Sequence, residues 1–162
     1  MDARNSGTAT ASESELVITR TFDAPRDLVW KAWTEDMDKW SAPPQFSMPV
    51  SEGDVRPGGK WRACMKNRQD GTELWLGGVY KEVVKPEKLV FTHAWDGPDG
   101  TRGPDTLVMV TFAEKGGKTE MHFRQTGFDS VESRNGHGEG WNECFDLLDK
   151  FLRKLATSRS PE

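Results

Sequence analysis

The sequence predicts an α+β fold, a curved antiparallel sheet wrapped around a long C-terminal amphipathic helix. Three observations carry that prediction. From residue 60 to residue 127 the chain is a series of strand-like runs, joined by connections too short for a parallel crossover. After residue 140 the apolar period changes from two to three and four. Between the first strand and the second lies a segment with helical spacing, long enough for two short helices.

The first strand is the alternating run LVITRTF, Leu16 to Phe22, broken by Asp23-Ala24-Pro25. Asp23 is the expected N-cap of a helix carrying Leu28, Val29, Ala32 and Trp33, with Pro25 near its first turn. A second short helix is expected over 35–40, stopped before Pro43-Pro44. Strands follow at 45–51, 60–67, 73–84, 88–95, 106–113 and 119–127, separated by turn chemistry such as Pro57-Gly58-Gly59, Asp70-Gly71 and the loop at 97–100. Trp141, Cys144, Phe145, Leu148, Phe151, Leu152 and Leu155 then form one stripe, opposite Asn142, Asp146, Asp149 and Arg153. A helix of roughly 17 residues would reach about 25 Å, enough to close the concave face of a small sheet.

The 162 residues match one domain, read as 15–156, with 1–14 a flexible leader and 157–162 a frayed end. Lys and Arg total 22 against 26 Asp and Glu, a net charge of −4 that argues against nucleic acid as a partner. No run approaches the ~20 apolar residues of a membrane span, so membrane insertion is not expected. Cys64 and Cys144 lie far apart, without metal spacing, and read as reduced thiols of a cytoplasmic protein. No cofactor is indicated.

Seven tryptophans and eight phenylalanines are the most informative residues. Tryptophan is large and its N–H needs a partner, which makes it an inefficient filler for a small core. Trp61, Phe91, Trp95, Met109, Phe123, Trp141 and Phe145 are candidates to line a pocket between sheet and helix; all of them can equally complete the core. Trp75 joins them if its face of the 73–84 strand points inward, a direction left open by two almost equally apolar faces. Gly77-Gly78 in that strand reads as curvature or a register change. Arg62, Arg124 and Glu139 are candidates for the pocket rim.

His93, His122 and His137 form no metal motif. His122 alternates with Glu120 and Arg124 on a solvated face, and His137 in Asn135-Gly136-His137-Gly138 reads as entry loop or cap before the long helix. His93 is the single weak catalytic candidate, a general base only if it faces the pocket beside an orienting group. The GDVRPGGK stretch lacks phosphate-loop spacing, no serine sits in a nucleophile elbow, and Cys144 on the helix stripe reads as a small buried hydrophobe.

The stretch GGKWRACMKNRQDGTELWLGGVYKEVVKPEKLVFTHAW resembles a block of the START-like (SRPBCC) superfamily. With ITRTFDAPRDLVWKAWTE before it and GHGEGWNECFDLLDKFLRKL after it, the chain is similar to the bacterial branch related to the C-terminal domain of the activator of heat-shock-protein-90 ATPase. The resemblance covers about residues 15 to 156. It implies a helix-grip fold, two short helices after the first strand, and a cavity between sheet and helix that takes apolar molecules. The leading expectation is therefore binding of a small apolar or amphipathic ligand. The alternatives are a protein-interaction role, with a chaperone or a second copy of the chain as partner, and cyclase- or hydrolase-like chemistry at the same cavity using His93 with Arg124 or Glu139.

Overall fold

A computed structural model describes residues 14–97 and 103–159, without the side chains of 156–159. Residues 1–13 of the expected leader at 1–14, part of the loop at 97–100 and the last three residues lie outside the described residues. The chain order is β1 Glu15–Phe22, α1 Arg26–Thr34, a 3-10 turn Met37–Lys39, β2 Phe46–Gly53, β3 Lys60–Asn67, β4 Glu73–Val84, β5 Lys88–Trp95, β6 Thr106–Lys115, β7 Lys118–Thr126 and α2 Val131–Arg159.

All seven strands form one antiparallel sheet in the order β1-β7-β6-β5-β4-β3-β2. From β2 to β7 each strand pairs with its sequence neighbour, so five successive hairpins build the sheet. The β6–β7 hairpin is the tightest, with Lys115 opposite Lys118 and Gly116-Gly117 at φ 59° and 84°. Only residues tolerant of the left-handed region make that two-residue turn. β1 closes on β7 at the opposite edge from β2, and the connection between these two edges carries α1 and the 3-10 turn across the concave face. The sheet curls into a half-barrel around α2, the helix-grip arrangement the sequence predicts.

Three local expectations are corrected. The N-cap of α1 is Pro25, not Asp23; its carbonyl receives the Leu28 and Val29 amides, and no side chain caps the helix. The register break in β4 lies between Tyr80 and Glu82 rather than at Gly77-Gly78. Those glycines are required by close approach: a Cβ at Gly78 would sit 1.9 Å from the Thr92 carbonyl oxygen of β5. The largest correction is α2, which spans 29 residues and begins ten residues before Trp141. His137 is therefore in its helical interior rather than in an entry loop.

The concave face is filled unevenly. Leu16 and Ile18 of β1, Val108, Val110 and Phe112 of β6, and Met121 and Phe123 of β7 are buried. They pack under α1 and the C-terminal half of α2, with Trp33 at the centre of the cluster. The Trp33 ring lies 4.8 Å from Trp40, 6.0 Å from Trp141 and 6.1 Å from Phe145. Trp40 is fixed there by its indole N–H, which donates to the Ala32 carbonyl at 3.0 Å. The β2–β5 half of the face has no such plug.

A cleft between the sheet and the closing helix

Over that unplugged half lies a cleft of about 820 Å³, within the range of small-molecule sites. Its floor is strand surface: Trp61, Ala63 and Met65 of β3, Leu76 and Tyr80 of β4, and Phe91, His93 and Trp95 of β5. Period-two alternation puts each set on one face. β4 settles the direction left open by sequence, with Leu76 and Tyr80 buried inward and Trp75 outward. The roof is the N-terminal half of α2, where Ser133, Gly136, His137, Gly140, Trp141 and Cys144 recur at helical spacing. Phe46 and Met48 of β2 border the mouth.

Two of the roof positions have no side chain. A Cβ built on Gly136 or Gly140 meets nothing within 4 Å, whereas one on Gly138, on the neighbouring face, would lie 3.1 Å from Leu16 Cδ1. The α2 backbone itself thus forms part of the wall.

Four indoles line the cleft, and three of them are held by their N–H; that of the fourth, Trp33, is buried without a hydrogen-bond partner among the described residues. Trp61 Nε1 donates to the Thr92 carbonyl at 3.0 Å, Trp95 Nε1 to His137 Nε2 at 2.8 Å, and Trp141 Nε1 to Gln125 Oε1 at 2.8 Å. An indole N–H can only donate, so His137 Nε2 accepts, and His137 Nδ1 carries the hydrogen it directs at the Ser133 carbonyl 2.7 Å away. Gln125 continues inward: its Nε2 donates to Thr106 Oγ1 at 2.8 Å, and that hydroxyl donates to the His93 carbonyl at 2.9 Å. This buried relay joins α2 to β7, β6 and β5, and accounts for two buried polar side chains in the sheet.

His93 faces the cleft, 4 % exposed, with its ring 5.7 Å from both Trp61 and Trp95 and 5.9 Å from His137. Burial pushes the Tyr80 hydroxyl up to about 12. Burial, reinforced by the Glu143 carboxylate, also pushes the Cys144 thiol up to about 12, which makes it an inert thiol at neutral pH. Both cysteines are free and buried. Among the described residues no cluster of His, Cys, Asp and Glu has metal-site geometry, and no helix is long and apolar enough to cross a membrane.

The structure gathers Trp61, Phe91, His93, Trp95, Trp141, Arg62 and Glu139 at the cleft. It places five other candidates elsewhere. Phe123 and Phe145 are fully buried under Trp33 in the plugged half. Met109 alternates with the buried Val108 and Val110 and so points to the convex face. Arg124, exposed on β7, pairs with Glu15 across the edge. Trp75 lies on the outer face, where the Arg62 guanidinium sits 4.2 Å from its ring centroid. Sequence reasoning missed Tyr80, Met65, His137 and the helix glycines. The signal for the α2 residues was the i, i+4 spacing of Gly136, Gly140 and Cys144, legible only if α2 is extended backward.

A family model described as Activator of Hsp90 ATPase homolog 1-like protein matches residues 23–153. No curated protein matches the chain. Among solved structures, a protein from Arthrobacter aurescens is similar at TM-score 0.81 and 23 % identity, covering 91 % of each chain. A protein from Chromobacterium violaceum is similar at TM-score 0.79 and 23 % identity, covering 86 % of this chain and 97 % of its own. An AHSA1 protein from Silicibacter pomeroyi is similar at TM-score 0.77 and 23 % identity, covering 90 % and 100 %. At that identity the likeness establishes a shared fold.

Proposed function

We propose that this chain, which belongs to the Activator of Hsp90 ATPase homolog 1-like family, binds a small apolar or amphipathic molecule in the cleft between its sheet and α2. The observation that carries this reading is the unfilled half of the concave face. One half of the sheet is packed solid by Trp33, Trp40 and Phe145, while the other half leaves about 820 Å³ walled by aromatic rings and bare helix backbone. A core built only for stability would fill that space, since interiors pack to crystal-like density. Trp61, Phe91, Trp95 and Trp141 are the assigned contact residues, with Glu139 and Arg62 at the mouth. Affinity would come from removing apolar surface from water, about 25 cal/mol per Å² before the costs of ordering.

The test is titration with the neutral fluorophore N-phenyl-1-naphthylamine, read by probe emission and by tryptophan quenching. Saturable binding is expected at micromolar probe, and Gly140→Phe, which projects a ring into open space, should abolish it while the protein stays folded. Absence of saturable binding, or undiminished binding in that variant, would remove the proposal.

A further inference from the structure

The charge around the cleft says what kind of amphiphile it suits. Among the described residues its lining holds five carboxylates: Glu132, Glu139 and Glu143 on α2, Glu35 just after α1, and Glu52 on β2. All five are exposed, and none makes an ion pair within the described residues. Against them the lining offers one guanidinium, Arg62, and that group is already placed over the Trp75 ring. The mouth is therefore strongly negative on a chain whose net charge is only −4.

The interior has the same preference for an independent reason. Three of the four lining indoles commit their N–H to the protein, at Thr92, His137 and Gln125, and the N–H of the fourth, Trp33, is buried. What Trp61, Trp95 and Trp141 have left for a ligand is ring surface, whose faces carry negative electrostatic potential. His137 Nε2 is likewise occupied, as the acceptor of the Trp95 N–H. An anionic headgroup would meet carboxylates at the mouth and π faces within. An organic ammonium would meet favourable charge at both, through cation–π contact inside and carboxylates held within a Debye length outside.

Resting on the binding function proposed above, we infer that the ligand is a cationic amphiphile: a hydrophobic amine or quaternary ammonium, its charged group held among the indoles and the acidic rim. The test uses three probes with one ten-carbon tail, each below its micelle concentration: decyltrimethylammonium, decanol and decyl sulfate, titrated into the full chain by calorimetry. Decyltrimethylammonium should bind at least tenfold more tightly than decanol, and decyl sulfate should not saturate. Raising salt from about 50 to 500 mM should weaken the ammonium several-fold and leave decanol unchanged. The triple variant Glu132→Gln, Glu139→Gln, Glu143→Gln alters only exposed side chains, so it should fold, and should bring the ammonium toward decanol's affinity. If decanol matches or exceeds the ammonium, or decyl sulfate binds best, the charge inference is overturned while the cleft reading stands. If none of the three binds, the cleft reading falls with it.

Discussion

Replacing Gly136 and Gly140 together by alanine should make this protein more stable. Both lie inside α2, well away from its ends, and a Cβ at either meets no atom within 4 Å. Glycine in a helix interior is about 0.8–1.0 kcal/mol less favourable than alanine, mostly through the freedom it gains on unfolding. With no clash to offset the gain, the double variant should be about 2 kcal/mol more stable, roughly 4–8 °C in Tm for a chain of this length. Gly138→Ala is the internal control. Its Cβ would press to 3.1 Å from Leu16 Cδ1, a buried side chain on β1, so its gain should be smaller or reversed. Urea unfolding followed by far-UV circular dichroism reads all three, with an unchanged m-value expected. A neutral or destabilised double variant, or a Gly138→Ala gain exceeding that of Gly140→Ala, would refute the claim that these two glycines face open space.

Two other outcomes follow from the buried groups around the cleft. Cys144 and Tyr80 are kept protonated by burial, each pushed up to about 12, so the folded state holds those protons more tightly than the unfolded chain. Their contribution is complete below the ordinary pKa of each group and is lost as pH rises toward 12, at up to about 1.4 kcal/mol per pH unit for each; stability measured in urea should begin to fall near pH 9, and Cys144→Ala should flatten the limb between pH 9 and 10. Trp141→Phe should cost about 1–3 kcal/mol, because it strands the fully buried Gln125 Oε1, and a double-mutant cycle with Gln125→Leu in denaturant should recover part of that loss.

The strands were legible because their boundaries carry chemistry. Asp70-Gly71 and the glycines of the β6–β7 turn end runs of alternating side chains, and four residues of α1 show one apolar face. The first ten residues of α2 were not legible for the same local reason. Three glycines and Asn135 oppose helix formation in isolation, and only packing against the sheet overrides them. The direction of Met109 was hidden because Leu107, Val108, Met109 and Val110 are all apolar, so alternation has no polar mark to read. Cleft and core were inseparable for a different reason. Phe123 and Phe145 belong to the core because α1 inserts Trp33 over them, and which half of the sheet α1 covers is set by β1 pairing with β7, a long-range contact.

That pairing also bears on the proposal that the cleft is a binding site rather than a packing defect. Once β1 and β2 occupy opposite edges, the connection between them must cross the concave face, and its helices can cover only part of it. Topology leaves a gap; it does not specify what surrounds the gap. Bulky residues at 136 and 140 would close it and strengthen the helix, yet both positions are glycine. Lysine or arginine at the rim would neutralise the mouth, yet five carboxylates stand there without ion pairs among the described residues. Three of the four indoles lining it are anchored through their N–H groups, leaving their faces to it. The glycines and the carboxylates each forgo a stabilising alternative, and both fall on the same cleft as the indole faces, as the proposed cationic site requires and a core does not.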